Sequence, residues 1–187
     1  AVMNGESETG MTLFRMDRTV DSGLIVAQSP IPIEESDDIG TLRAKGTEAM
    51  ARILKDYLPA LIEGRVEGAP QDEREATYAC KWLPEDSRID WTRTSREIHN
   101  LIRATTRPYP GAYCKLGSDK LTVWRAELPA NPKKYVGRVV GRVVEIDEDG
   151  VVVLTGDSVL RLIEVSLNGD SAVPASRLLT NYSITLC

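Results

Sequence analysis

From Gly111 to Val165 the chain is a succession of five short runs rich in β-branched and aromatic residues: GAYCKL, KLTVWRAEL, GRVVGRVVEI, GVVVLTG and SVLRLIEV. Between them stand GSD, PANPKK, DEDG and GD, the residue types that supply tight turns. About five strands at this spacing predict a small closed or half-closed β-barrel, the architecture that leaves short strands with few open edges. The doubled GRVV of residues 137–144 reads as one long strand rather than a repeat. Downstream, VPASRLLTN offers a short helix with Pro174 near its first turn.

The residues before these runs switch to helical periodicity. In DWTRTSREIHNLIRAT, Thr94 and Glu97 fit a capping box, and Ile98, Leu101 and Ile102 fall on one face. Pro108 and Pro110 of RPYPG end the helix. The polar stretch RVEGAPQDEREATY breaks both periodicities and reads as a linker near residues 64–76. Further upstream, MTLFRM (Met11–Met16) and GLIVAQSPIPI (Gly23–Ile33) are extended, and Pro30 and Pro32 mark a strand end or an edge. Ser36, Asp37 and Asp38 offer N-cap oxygens. A long amphipathic helix follows through Leu42, Met50, Ile53, Leu54, Tyr57, Leu58, Leu61 and Ile62, bent or restarted at Pro59 and ended by Gly64.

Charge narrows the partners. Residues 1–69 carry 7 Lys+Arg and 12 Asp+Glu, whereas residues 70–187 carry 16 of each. The formal net charge of −5 therefore lies entirely in the first part. Neither part has the basic excess usual for a nucleic-acid grip. No apolar run is long enough to cross a bilayer, so no membrane partner is expected. AVMNGESETG lacks the basic and apolar regions of a signal peptide. Cys80, Cys114 and Cys187 form no CxxC pair, so reduced thiols, no metal site and a cytoplasmic location are expected.

The residues with chemical potential are few. MDRTVDSG (Met16–Gly23) sets Asp17 and Asp21 in a polar loop between two apolar runs. A carboxylate at the end of a buried strand can be desolvated and suited to proton transfer. The same residues can instead satisfy the N–H groups of a turn. The single histidine, His99, lies within the helix and reads as a partly exposed structural residue. NGESETG has no phosphate-cradle spacing and reads as a polar turn. Lys133, Lys134, Arg138 and Arg142 cluster around Tyr135 and could meet phosphate or simply form a solvated edge.

Beyond these local patterns, NGESETGMTLFRMDRTVDSGLIVAQ resembles the later half of the catalytic domain of 10-formyltetrahydrofolate-dependent formyltransferases. ATYACKWLPEDSRIDW, EIHNLIRA, RPYPGAY and LTVWRAEL resemble the C-terminal domain of the same family, in the same order. The resemblance implies an α/β part followed by a β-barrel. Residues 1–69 would be the C-terminal half of a Rossmann-like formyltransferase domain, and residues 70–187 an OB-like C-terminal domain. It implies 10-formyltetrahydrofolate as formyl donor and a primary amine as acceptor. Asp21 holds the place of the family's catalytic aspartate, and Asp17, Arg18, Thr19 and Val20 that of the loop lining the pterin pocket. The family's other two catalytic residues, an Asn and a His in an Asn-x-His segment, belong upstream of NGE. His99 does not occupy their position. The resemblance therefore implies a fragment, inactive by itself.

Two acceptors fit the resemblance, a nucleotide-linked amino sugar and initiator methionyl-tRNA. The neutral balance of residues 70–187 and the wording EDSRIDW, IHNLIRA and LTVW favour the sugar. A third reading is a non-catalytic OB-like interaction module, with Tyr113, Trp124 and Tyr135 as a thin stacking platform and Trp124 rather a core residue. A homodimer is left open.

Overall fold

The computed structural model describes all residues, 1–187, and the chain divides into two compact units. The first comprises Ala1, 6–37 and 41–81, and the second 2–5, 38–40 and 82–187. No helix is long and apolar enough to cross a membrane.

The first unit is built on an antiparallel hairpin of β1 (Glu8–Phe14) and β2 (Ile25–Pro32). The register sets Gly10 opposite Pro30 and Glu8 opposite Pro32. Beyond the strand end, Ile33 N donates to Ser7 O at 2.9 Å. Counting back by two from Ile33, the two prolines occupy alternate positions that donate nothing to β1. Their missing N–H groups leave the outer edge of β2 poor in donors, which blunts it against further strand pairing.

Helix α1 (Ile39–Ile62) follows. It buries Leu42, Gly46, Ala49 and Ile53, and runs through Pro59 without restarting. Pro59 sits in the last turn, so its ring removes one intrahelical bond near the end instead of breaking the middle. Gly64 then closes the helix at φ 68°. The chain beyond it turns back so that Arg65 N reaches Ala60 O at 2.9 Å. At the other end Asp37 is 4% exposed and accepts from Glu34 N at 2.8 Å, Thr41 Oγ1 at 2.8 Å and Lys45 Nζ at 2.6 Å. Burial works to raise its carboxyl, but these donors outweigh it and hold the group below the ordinary carboxylate value.

The second unit packs α2 (Ser95–Thr105) on a sheet of β3 (Ala112–Leu116), β4 (Asp119–Glu127), β5 (Val143–Asp147), β6 (Gly150–Leu154), β7 (Val159–Leu167) and β8 (Val173–Pro174). The order is β3-β4-β7-β6-β5, with β8 added beside β7. The expected capping box is present: Thr94 N donates to Glu97 Oε2 at 2.9 Å, and Glu97 N to Thr94 Oγ1 at 3.2 Å. Distant Asp157 adds a second acceptor at the same helix start, taking Ser95 N at 2.7 Å. One core joins Ile98 and Ile102 of α2 to Leu121, Val153, Leu160 and Leu162 of the sheet.

The sheet-rich C-terminal domain is thus as expected in class, but it is not a closed barrel. Edge strands β3 and β5 do not pair with each other. The last residues run between them instead. Cys187 N donates to Lys115 O at 3.1 Å, and Val143 N to Ile184 O at 3.1 Å. The doubled GRVV is also not one strand, since β5 begins only at Val143. Gly141 explains the break: it has φ 77°, and a Cβ there would stand 2.1 Å from Leu186 O. The predicted helix at VPASRLLTN shrinks to a 3-10 turn at Ala175–Arg177.

Several side chains depart from expectation for reasons visible in the packing. His99 is buried at 8% exposure, on the face of α2 that also buries Asn100. Trp124 lies half-buried outside the core, its Nε1 donating to Ser166 Oγ at 2.9 Å. The Arg107 guanidinium covers its ring at 4.4 Å. The basic cluster is engaged within the unit: Lys133 with Glu145 at 2.8 Å, Arg138 with Gly156 O at 3.1 Å and Arg142 with Thr185 at 2.6 Å.

Candidate functional site

The hairpin between β1 and β2 carries a loop whose neck is narrow and whose body is open. At the neck Arg15 N donates to Leu24 O at 2.9 Å. Gly23 sits so close that a Cβ would lie 1.5 Å from Arg15 O, so no other residue fits there without parting the two strands. Below the neck, Ile25 and Ala69 exchange two backbone hydrogen bonds of 2.8 Å each.

Residues 16–21 of the loop are all exposed, which places Asp17, Arg18, Thr19, Val20 and Asp21 together in solvent at one end of the hairpin. Of the two readings of these aspartates, the desolvated carboxylate is not seen, because residues 16–21 all lie exposed. Local bonds stiffen the loop. Arg18 N caps the Asp17 carboxylate, and the Thr19 and Ser22 hydroxyls bond each other. Asp21 adopts φ 56°, a left-handed conformation that aspartate tolerates better than most residues with a Cβ.

Met16 is 93% and Val20 91% exposed. Two large apolar side chains therefore lie open to solvent on this loop. No group of three His, Cys, Asp or Glu side chains is placed to hold a metal ion. His99 belongs to α2 and is not part of this loop.

Sequence reasoning missed the residues that hold the neck from elsewhere. Gln71 Nε2 donates to Asp21 O at 2.7 Å and to Gly23 O at 2.8 Å. The Arg15 guanidinium donates to Val66 O. These partners are 48 to 51 residues apart in sequence, inside a stretch that reads as linker, and no local pattern announces them. Residues 66–71 are thus bonded to the hairpin rather than loose.

Two family models match the chain. The model of the formyl transferase family matches residues 1–58, and that of the formyl transferase C-terminal domain matches residues 81–183. Among solved structures, HypX from Aquifex aeolicus in complex with tetrahydrofolic acid is 21% identical with a TM-score of 0.71, covering 97% of this chain and 31% of that one. The N-formyltransferase from Helicobacter canadensis in complex with folinic acid and dTDP-3-aminofucose is 22% identical with a TM-score of 0.63, covering 86% and 57%. The methionyl-tRNA formyltransferase from Clostridium thermocellum is 21% identical with a TM-score of 0.54, covering 83% and 62%. At these identities the likeness is one of fold. The chain spans between 31% and 62% of the length of these three proteins. Two family models fit it in sequence order, and the C-terminal one alone accounts for more than half of the 187 residues; the chain belongs to the formyl transferase family.

Proposed function

We propose that the protein transfers a formyl group from 10-formyltetrahydrofolate to the primary amine of a nucleotide-linked amino sugar, with Asp21 as a catalytic carboxylate and Asp17, Arg18, Thr19 and Val20 contacting the pterin. The observation that carries this reading is the Met16–Ser22 loop. It is open to ligand, pinned at its neck, and lies within the stretch that matches the formyl transferase model. The folate supplies the formyl carbon. An amine attacking a carbonyl carbon must shed a proton, and a carboxylate within reach can orient the amine and take that proton. What supports Asp21 in this role is a side chain open to solvent on a backbone bonded by Gln71. Loop backbone and the Val20 side chain offer the rim and the face of the folate contact.

The acceptor is argued from electrostatics. A protein that grips tRNA gains affinity from cations that neutralise phosphates. In the second unit four cations already face carboxylates: Lys133 with Glu145, Arg107 with Glu164, Arg125 with Glu127, and Arg161 with Asp147. The aromatic platform needed by an interaction module is likewise engaged. Lys120 stands 4.3 Å from the Tyr113 ring, Arg107 stands 4.4 Å from the Trp124 ring, and the Tyr135 hydroxyl is bound to Glu145.

The test compares acceptors. With the full protein and 10-formyltetrahydrofolate as donor, kcat/KM on a nucleotide-linked amino sugar is expected to exceed that on methionyl-tRNA by about 100-fold or more, whereas residues 1–187 alone are expected to be inactive. Preference for the tRNA overturns the acceptor assignment, and turnover of neither overturns the enzymatic reading.

A further inference from the structure

The six residues Val66–Gln71 contain no helix and no strand beyond one bridge, yet each end is bonded to the loop neck. Val66 O takes the Arg15 guanidinium, Ala69 pairs with Ile25, and Gln71 takes the far side. The Gln71 contact is the most specific of the three. A side-chain amide nitrogen has two hydrogens, and here they serve two carbonyls two residues apart, Asp21 O at 2.7 Å and Gly23 O at 2.8 Å. Both carbonyls face one nitrogen only while the chain turns sharply between them. Asp21 itself stands at φ 56°, immediately upstream of the first of these carbonyls. This conformation is sparsely populated for a residue with a Cβ, so an exposed loop left to itself would leave it.

We propose that Gln71 is a positioning residue for formyl transfer. Its amide ties down the carbonyls of Asp21 and Gly23 and so holds the backbone that carries the Asp21 carboxylate, with Val66–Gln71 acting as a splint across the neck. The proposal rests on the assignment of Asp21 made above. Gln71 is itself exposed and buries no core surface, so its role is carried by its hydrogens and not by its bulk.

Two substitutions separate donors from shape. Gln71→Glu keeps the length but sets an acceptor against two carbonyls. Gln71→Lys changes the shape but keeps donors that reach both. In the full protein, Gln71→Glu is expected to lower kcat about tenfold while KM for the amine changes less than about twofold, because a misdirected group costs rate more than binding. Gln71→Lys retains most of the activity. Amide exchange of residues 17–23, followed by mass spectrometry without any substrate, accelerates in Gln71→Glu and stays near wild type in Gln71→Lys. Asp21→Asn is assayed beside them. If Asp21→Asn abolishes transfer while Gln71→Glu exchanges and turns over like wild type, the Gln71 proposal is overturned and Asp21 stands. If exchange responds as expected but Asp21→Asn transfers normally, the splint remains and its catalytic purpose is overturned together with the Asp21 assignment. Equal losses in Gln71→Glu and Gln71→Lys overturn the donor argument.

Discussion

Replacing Gly23 by alanine tests whether the loop neck is as tight as its geometry requires. The added Cβ would stand 1.5 Å from Arg15 O and 2.7 Å from Arg15 C, whereas real Cβ contacts are essentially never closer than 3.0 Å. Both of these atoms belong to backbone, so no side chain can swing away and the strands must part by about 1.5 Å. That movement takes the Arg15 N to Leu24 O bond of 2.9 Å and the Gln71 to Gly23 O bond of 2.8 Å beyond bonding range. Two lost hydrogen bonds at about 1 kcal/mol each, with some residual strain, give a local cost of about 2–3 kcal/mol. The corresponding rise in exchange of the Arg15 amide is about 30- to 140-fold, at tenfold per 1.4 kcal/mol. Hydrogen exchange read by mass spectrometry reports it directly. An Arg15 amide that exchanges at the wild-type rate in Gly23→Ala would refute the tight neck.

Three further outcomes follow from the packing. Asp37→Ala should cost about 2 kcal/mol at neutral pH, because it strips one buried acceptor from three donors. Since the folded carboxyl lies below its unfolded value, the stability it adds is present above the ordinary carboxylate range and lost as pH falls through the folded value. Wild type and Asp37→Ala should therefore converge in acid when unfolding is followed against pH. Burial, and then the Glu145 carboxylate, push the Tyr135 phenol up to about 12. An ultraviolet titration should show one tyrosine ionising that late, and Tyr135→Phe should remove it; the stability tied to this group is present below pH 10 and lost as pH rises towards 12. Leu162→Ala, at a fully buried core position, should cost about 3 kcal/mol in denaturant unfolding.

The elements that were legible in the sequence are those whose signals are local. The Thr94–Glu97 box needs only four consecutive residues, and it is present with both bonds formed. The runs from Gly111 to Val165 became strands because alternation and turn residues act over the same short range. What failed depends on distant partners. Gly141 looked like a strand residue until Leu186, 45 positions later, was seen to occupy the space beside it. Barrel closure could not be read from strand count, because it turns on what β3 and β5 pair with, and the C-terminal residues take that place. Trp124 reads as apolar core by composition, but its indole N–H needs an acceptor and finds Ser166 across β4 and β7. In the loop, the aspartates were visible at once. The side chain that bonds the backbone of one of them was not, since Gln71 lies 50 residues from Asp21 and carries no pattern of its own.

The central claim is that Asp21, held on a pinned loop, takes part in moving a formyl group to an amine. The most direct measurement is single-turnover formyl transfer from 10-formyltetrahydrofolate by the full protein and its Asp21→Asn variant, with folate affinity measured in parallel. The account predicts a loss in the transfer rate of about 100-fold or more, the usual contribution of a positioned acid–base group, with folate binding within a few-fold of wild type. Transfer by Asp21→Asn at a rate near wild type would contradict it.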